Sequence, residues 1–238
     1  MALRYLIASL LLFAVIRSFK PIVNKDTVLL AILTSASSFF WILGLEYVSP
    51  SESSVLSYTM PLIAIPMSFL ILSEKASHRE WAGAVVGFIG VVVYSLVVFE
   101  DRTLSTLGAV LTLVNAFFWA VYTIYYRKLK NQDPTSTVAT QLLFGALLFF
   151  LITPLGYRID ATPEFWFDLL YLSVLAAAAS FLLWNALTRL NPIGKTSTLI
   201  YSTPVAVTVV QYVETSSLPP PMSLIGLCLM IFGIYMSR

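Results

Sequence analysis

Residues 56–61 read Leu-Ser-Tyr-Thr-Met-Pro, and residues 199–204 read Leu-Ile-Tyr-Ser-Thr-Pro. The two stretches share Leu-x-Tyr-x-x-Pro at an offset of 143 residues. The same offset brings Trp41 onto Trp184, Gly83 onto Gly226 and Gly90 onto Gly233, with Ser37 and Ser73 on Ser180 and Ser216. Overall identity in this register is low, so the residue types carry the signal. A Trp, a Tyr, a Pro and two Gly recur within otherwise Leu-, Ser- and Val-rich sequence. Charges at matched positions reverse sign, because Glu46 falls on Arg189 and Glu52 on Lys195. An inverted repeat in a membrane has this property, since one structural position then lies at opposite faces in the two copies. An odd number of spans per copy produces the inversion.

Composition places the repeat in lipid. The 238 residues are 58% hydrophobic and only 11% charged, against about 25% charged in soluble domains. Such a chain cannot cover its surface with polar groups. A soluble domain, a disordered chain and a nucleic-acid binder are excluded. At ~20 residues per span the length allows about ten spans, leaving no room for a separate soluble domain. Nine apolar segments are expected, at 3–19, 28–48, 53–73, 80–99, 107–126, 136–154, 166–190, 196–213 and 222–237. None has the ~10-residue alternation of a barrel strand. Helices satisfy their own backbone groups in lipid, so the expected fold is an all-α polytopic membrane protein of about nine transmembrane helices. The first segment lacks a small-x-small cleavage site and reads as a retained span. The single Cys228 forms no internal disulfide.

The expected organisation is two repeats, residues 1–99 and 106–238, in a 4+5 arrangement. Segment 107–126 has no partner at an offset of −143, so the first copy lacks its first helix. Cations orient the bundle. Arg17, Lys20, Lys25, Lys75, Arg79, Arg127, Lys128, Lys130, Arg189, Lys195 and Arg238 collect on one face, and Arg4, Arg102 and Arg158 on the other. The richer face is expected to be cytoplasmic. A multi-pass protein of the cell membrane follows, with its C-terminus inside and its N-terminus outside.

Several of these stretches resemble the EamA-like branch of the drug/metabolite transporter superfamily. The span from Trp41 to Tyr94 is similar to the end of an EamA repeat. It contains Ser49-Pro50, the motif from Leu56 to Pro61, Ser73-Glu74-Lys75 and Glu80-Trp81-Ala82-Gly83 before a Gly-rich helix. Leu107-Gly108, Trp119 to Tyr122 and Arg127-Lys128 resemble the opening helix of the second repeat, and Arg4-Tyr5 the pair that opens the family's second helix. The resemblance implies ten helices in two inverted five-helix repeats around a central cavity. It also implies alternating-access transport of small metabolites, often outward, with no cofactor. This chain departs from the pattern in lacking the first helix, and in placing Glu214 three residues before the position that Glu74 projects to.

Polar groups within spans usually face a cavity or another helix. The candidates for a substrate cavity fall into four chemical sets. Asn115, Gln141 and Asn185 are amides; Tyr58, Tyr122 and Tyr201 are phenols. Trp41, Trp119 and Trp184 are indoles; Ser38, Ser57 and Ser202 are hydroxyls. Together they describe a neutral, aromatic-lined pocket suited to amino acids or amphipathic compounds. Packing between helices is the other use of such groups. Pro61 and Pro204 are expected inside their helices, where each removes an amide donor and kinks the helix; broken helices of this kind mark gates and sites in transporters. Pro66 adds a break that the second copy lacks. Gly83, Gly87, Gly90, Gly226 and Gly233 are expected to form helix-packing faces, which also suit a homodimer. Gly194-Lys195-Thr196 lacks the upstream glycine of a phosphate loop.

Catalysis at membrane depth needs an acid pair, metal ligands or a nucleophile with its base. The chain has one histidine, His78 in a loop, and no mid-span acid. No catalytic residue, metal or cofactor is expected. Glu46, Glu52, Asp168 and Glu214 lie near one face, Glu74 and Glu80 near the other. That favours facilitated diffusion, exchange or an end-of-helix acid such as Glu46 over mid-span proton coupling. The expected function is a secondary transporter, active or facilitative, exporting small metabolites. The alternatives are a non-transporting membrane subunit or receptor-like protein and, further off, an intramembrane enzyme. The expected partners are a small-molecule substrate and the lipid bilayer, with no nucleic acid.

Overall fold

A computed structural model describes residues 1–96, 105–129, 131–153, 161–216 and 220–238, excepting the side chains of Gln211, Glu214 and Thr215. Phe99, Arg102, Lys130, Pro154 and Arg158, and the junction of the two expected repeats, lie outside the described residues. Each of the nine apolar segments contains helix, although residues 16–19 lie beyond the end of the first one. The helices are α1 (Ala2–Val15), α2 (Lys25–Leu45), α3 (Pro50–Ser57), α4 (Met60–Leu72), α5 (His78–Ser95) and α6 (Thr106–Lys128). They continue as α7 (Pro134–Ile152), α8 (Pro163–Ser173), α9 (Ser180–Leu190), α10 (Ile193–Thr198), α11 (Ser202–Thr215) and α12 (Pro221–Met236). No strand occurs among the described residues.

Sequence-local chemistry starts these helices. Ser49 and Glu52 form a reciprocal capping box at α3, and Ser77 and Glu80 do the same at α5. Asp133 caps α7 and Thr162 caps α8, each followed by a proline in the first turn. Such side chains satisfy amide donors that have no partner within the helix. Among the described residues, five stretches are long and apolar enough to cross a membrane: Lys25–Leu45, Pro50–Leu72, Thr106–Lys128, Pro134–Ile152 and Pro163–Leu190. Shorter apolar helices occur at Ala2–Val15 and Pro221–Met236. Large side chains such as Leu70, Leu151 and Leu190 stay exposed, a distribution that fits lipid and not water. The fold is that of an all-α polytopic membrane protein.

Three spans are interrupted. The third ends at Ser57 and restarts at Met60, so Pro61 occupies the first turn of α4 and not a helix interior. The eighth passes through a 3₁₀ turn, Leu199–Tyr201, before α11, with Pro204 again in the first turn. Each proline thus follows directly on an interruption of its span, through which the backbone stays right-handed helical. A proline has no N–H to give to the regular ladder, and a first-turn position needs none. Pro66 is the proline inside a helix, within α4. The seventh span is interrupted by a π-helical turn, Val174–Ala179.

Backbone geometry recurs at the offset of 143. Ser73 ends α4 at φ 55°, and Ser216 ends α11 at φ 52°, both left-handed. Only Arg17 shares a positive φ among the described non-glycine residues.

Two compact units emerge. One comprises Met1–Ser38 and Tyr125–Leu190, the other Phe39–Ile124 and Asn191–Arg238. Each draws on both halves of the chain. In the first, α1 packs on α7 and on the π-helical turn. Tyr5 is its buried pivot, edge-on to Phe149 and Phe181 at ring separations of 5.6 and 6.3 Å. In the second, α5 and α12 meet through glycines. A Cβ on Gly233 would lie 2.5 Å from Gly87 N and 2.6 Å from Gly83 O. One on Gly226 would lie 2.6 Å from Tyr94 N, and one on Gly90 would lie 2.7 Å from Gly226 O. Backbone touches backbone along this seam.

Candidate functional site

The second unit holds a polar cluster beside its helix break. Ser57 is the last residue of α3, and Tyr58, largely buried, begins the interruption. Asn115, on α6, donates from Nδ2 to Ser57 Oγ at 3.3 Å. Trp119 and Tyr122 follow Asn115 at i+4 and i+7, so the three share one face of α6. The Trp119 and Tyr122 rings stand 5.2 Å apart with planes inclined by 33°. Tyr122 is fully buried, and Trp119 is half-buried. The Asn115 amide, bonded to the Ser57 hydroxyl of α3, thus stands on a face of α6 that continues as Trp119 and Tyr122. None of these five side chains carries a charge. The arrangement can hydrogen-bond and stack a neutral or zwitterionic ligand.

The remaining candidates of this unit differ in setting. Trp41 is exposed. Ser202 is exposed and its hydroxyl donates to Leu199 O at 2.7 Å, a bond within its own helix turn. Tyr201, the repeat mate of Tyr58, is fully buried and donates to Ala84 O at 2.9 Å. Its ring lies against Gly87, where a Cβ would collide with Cδ2 and Cε2. Tyr58 and Tyr201 share one apolar cluster with Val91 and Met230.

The first unit holds the other four candidates. Gln141 and Asn185 are fully buried, and Trp184 is half-buried. Ser38 Oγ and the Tyr5 phenol are hydrogen-bonded at 2.6 Å. Gly145 leaves the room for this pair, since a Cβ there would lie 2.8 Å from Tyr5 Cδ2.

Three features were not anticipated from the sequence. Arg4 donates from Nη2 to Ala176 O at 2.7 Å and from Nε to Leu172 O at 3.2 Å. Its fork spans the entry to the π-helical turn, where carbonyls leave the regular α pattern. A basic residue inside an apolar run was the available signal. Second, Tyr125 donates to Asp26 Oδ1 at 2.5 Å, and Gln132 Nε2 donates to Asp26 Oδ2 at 3.3 Å. Arg189 Nη1 donates to Gln132 O at 2.7 Å, with its guanidinium 4.8 Å above the Tyr126 ring. Arg189 is thus built into the unit as well as carrying charge. Third, α10 has no side-chain cap of its own, and Ile193 N donates to Glu74 Oε1 at 2.6 Å. The matched helix α3 caps itself. Glu74→Ala is expected to destabilise the protein by about 1–2 kcal/mol, read as a lower melting temperature in detergent. Glu74→Gln should recover part of it, because the amide oxygen still accepts.

Comparison with known proteins gives a consistent outcome. A family model described as the EamA-like transporter family matches residues 1–96 and 106–238. A protein of Acidianus ambivalens named "uncharacterized transporter in sor 3'region" is 45% identical over all of this chain and 92% of its own length. A riboflavin transporter of Vibrio cholerae is 30% identical over 61% of this chain and 49% of its own. An S-adenosylmethionine uptake transporter of Rickettsia prowazekii is 26% identical over 68% of this chain and 53% of its own. A solved crystal structure superposes with a TM-score of 0.83 at 20% identity, covering 100% of this chain and 85% of the other; that likeness concerns the fold.

Proposed function

Because this chain belongs to the EamA-like transporter family, we propose that it is a secondary carrier moving small amphipathic metabolites by alternating access. The carrying observation is the Asn115–Ser57 bond at the α3–α4 break, on the helix face that continues as Trp119 and Tyr122. A planar ring of a substrate stacks on that wall, an aromatic contact worth about 0.5–1.5 kcal/mol beyond burial. The amide and hydroxyl bond its polar part. Two relatives are named for riboflavin and S-adenosylmethionine. Both compounds join a nitrogen heterocycle to a polar chain, which agrees with such a site. Gln141, Trp184 and Asn185 belong to the same reading as pathway residues, Pro61 and Pro204 as the starts of gating segments, and Tyr201 as a packing anchor. Residues 1–99 and 106–238 act as the two inverted repeats. The cation-rich face is cytoplasmic.

The absence of an acid from the Asn115 cluster favours exchange or facilitated diffusion over proton coupling there. Outward transport is the direction that the family resemblance suggests, and one relative is named for uptake, so the assay reads both. Full-length protein in proteoliposomes should show saturable counterflow of a heterocyclic or aromatic substrate among riboflavin, S-adenosylmethionine and aromatic amino acids. Trp119→Ala should raise the half-saturation concentration about tenfold, the equivalent of ~1.4 kcal/mol, without lowering the melting temperature as far as a core truncation does. Saturable flux that Trp119→Ala and Asn115→Leu leave unchanged would move the site elsewhere. No saturable flux across the panel in either direction would refute the carrier reading.

A further inference from the structure

One end of the second unit carries exposed arginines beside two acids that bind backbone amides. Glu80 is buried, and its Oε2 accepts from Ser77 N at 2.6 Å and Ser77 Oγ at 3.0 Å. Glu74 accepts from Ile193 N. Each carboxylate thus serves a backbone amide, and Glu80 Oε1 is buried without a hydrogen-bond partner. Arg79, the residue before Glu80 in α5, is exposed, and so is Arg238 beyond the end of α12. Among the described residues neither guanidinium meets an acid. The two arginines nonetheless line one open groove of about 470 Å³, with Phe232, Tyr235 and Met236 as its apolar walls. Phe232 is 53% exposed and Tyr235 75%. The groove runs along the α5–α12 seam, whose glycine contacts hold the two arginine-bearing ends together.

Two cations lining one mouth favour an anion between them. An apolar wall that stays exposed beside them needs a hydrocarbon occupant. One molecule satisfies both demands. We propose that this groove binds a membrane lipid with an anionic phosphate headgroup, its phosphate between Arg79 and Arg238 and an acyl or alkyl chain along Phe232 and Tyr235. Arginine forks suit phosphate oxygens, and basic pockets between spanning helices hold lipid headgroups elsewhere. Tyr235 supplies the amphipathic ring usual at headgroup depth. A second groove, of about 460 Å³, repeats the pattern with Lys75 beside Phe69, Leu70 and Trp81. The assignment is independent of the carrier reading and of which face is cytoplasmic.

The test is competition between phosphatidylglycerol and phosphatidylcholine with identical chains, read by native mass spectrometry of the full-length protein in detergent. The wild type should retain phosphatidylglycerol at least tenfold better. The double substitution Arg79→Gln, Arg238→Gln should abolish that preference. Lys20→Gln, Lys25→Gln removes the same net charge from exposed positions of the first unit and should leave it intact. Inorganic phosphate at millimolar concentration should not displace the lipid, since the apolar walls contribute to holding it. Equal retention of both lipids by the wild type would overturn the proposal without any variant. So would equal losses in the two double variants, which would reduce the effect to overall charge. Displacement by phosphate alone would also overturn it, leaving an ion site and no lipid site. Should the arginine variant fold poorly, Arg79→Lys, Arg238→Lys serves instead: it keeps the charge, loses the fork, and should weaken the preference several-fold; an unchanged preference would refute fork binding.

Discussion

Gly233→Ala is expected to destabilise the protein by about 1–3 kcal/mol, and Gly233→Leu to prevent the native packing of α5 on α12. The reason is the kind of atom that the new Cβ meets. At Gly233 it would be 2.5 Å from Gly87 N and 2.6 Å from Gly83 O, both backbone. A flexible side chain could swing away; a helix backbone has to move as a body. At Gly44, by contrast, the nearest atom is Thr112 Oγ1 at 2.8 Å, with backbone at 3.5 Å. Gly44→Ala should therefore cost clearly less. Ile89→Ala, on an exposed position of the same helix α5, should cost less again. Unfolding in mixed detergent micelles ranks the three. Gly83→Ala and Gly233→Ala share one contact, so the double variant should fall short of the sum of the singles. A cost at Gly233 no larger than at Ile89 would mean that α5 and α12 do not touch as described.

Arg4→Met should cost about 2–4 kcal/mol, because it leaves two carbonyls without their charged donor in a low-dielectric setting. Methionine preserves the length and apolar contact of the side chain, so the loss isolates the guanidinium. Ala176 O and Leu172 O are four residues apart, one helical turn, and the Nη2 and Nε donors reach both at 2.7 and 3.2 Å. A lysine ammonium is a point donor and cannot span them. Arg4→Lys is thus expected to recover less than half of the loss. If lysine restored full stability, the role of Arg4 would be charge alone, and the fork across the π-helical turn would be incidental. Thermal unfolding of the three proteins in one detergent separates these outcomes.

Hydropathy, caps and prolines are local properties, and what depended on them was legible. The nine spans, and helix starts such as Ser49-Pro50 and Asp133-Pro134, follow from residues within a few positions of one another. Two helices are interrupted at the motif, at 56–61 and 199–204. The motif did not show that the interruption precedes the proline, because a missing amide donor disturbs the turn around it without fixing where the regular bonding stops. Nor did it separate Tyr58 from Tyr201. Identical in the motif, one adjoins the Ser57–Asn115 pair and the other bonds Ala84 O across 117 residues.

Serine shows where local reading stops. Ser202 donates to the carbonyl three residues back, whereas Ser9 donates to Ala139 O across 130 residues. Nothing in either residue's neighbourhood announces the difference. A hydroxyl in lipid must find an acceptor, and its own helix always offers one; only another helix at the right distance offers a second. Hydropathy and local capping specify that the chain forms membrane-spanning helices and where several of them begin. Which polar groups meet, Arg4 and Ser9 among them, is fixed by how the helices pack. Span formation is a sum over adjacent residues. Partner choice depends on groups 33 to 172 positions apart, and pattern alone carries no record of their separation in space.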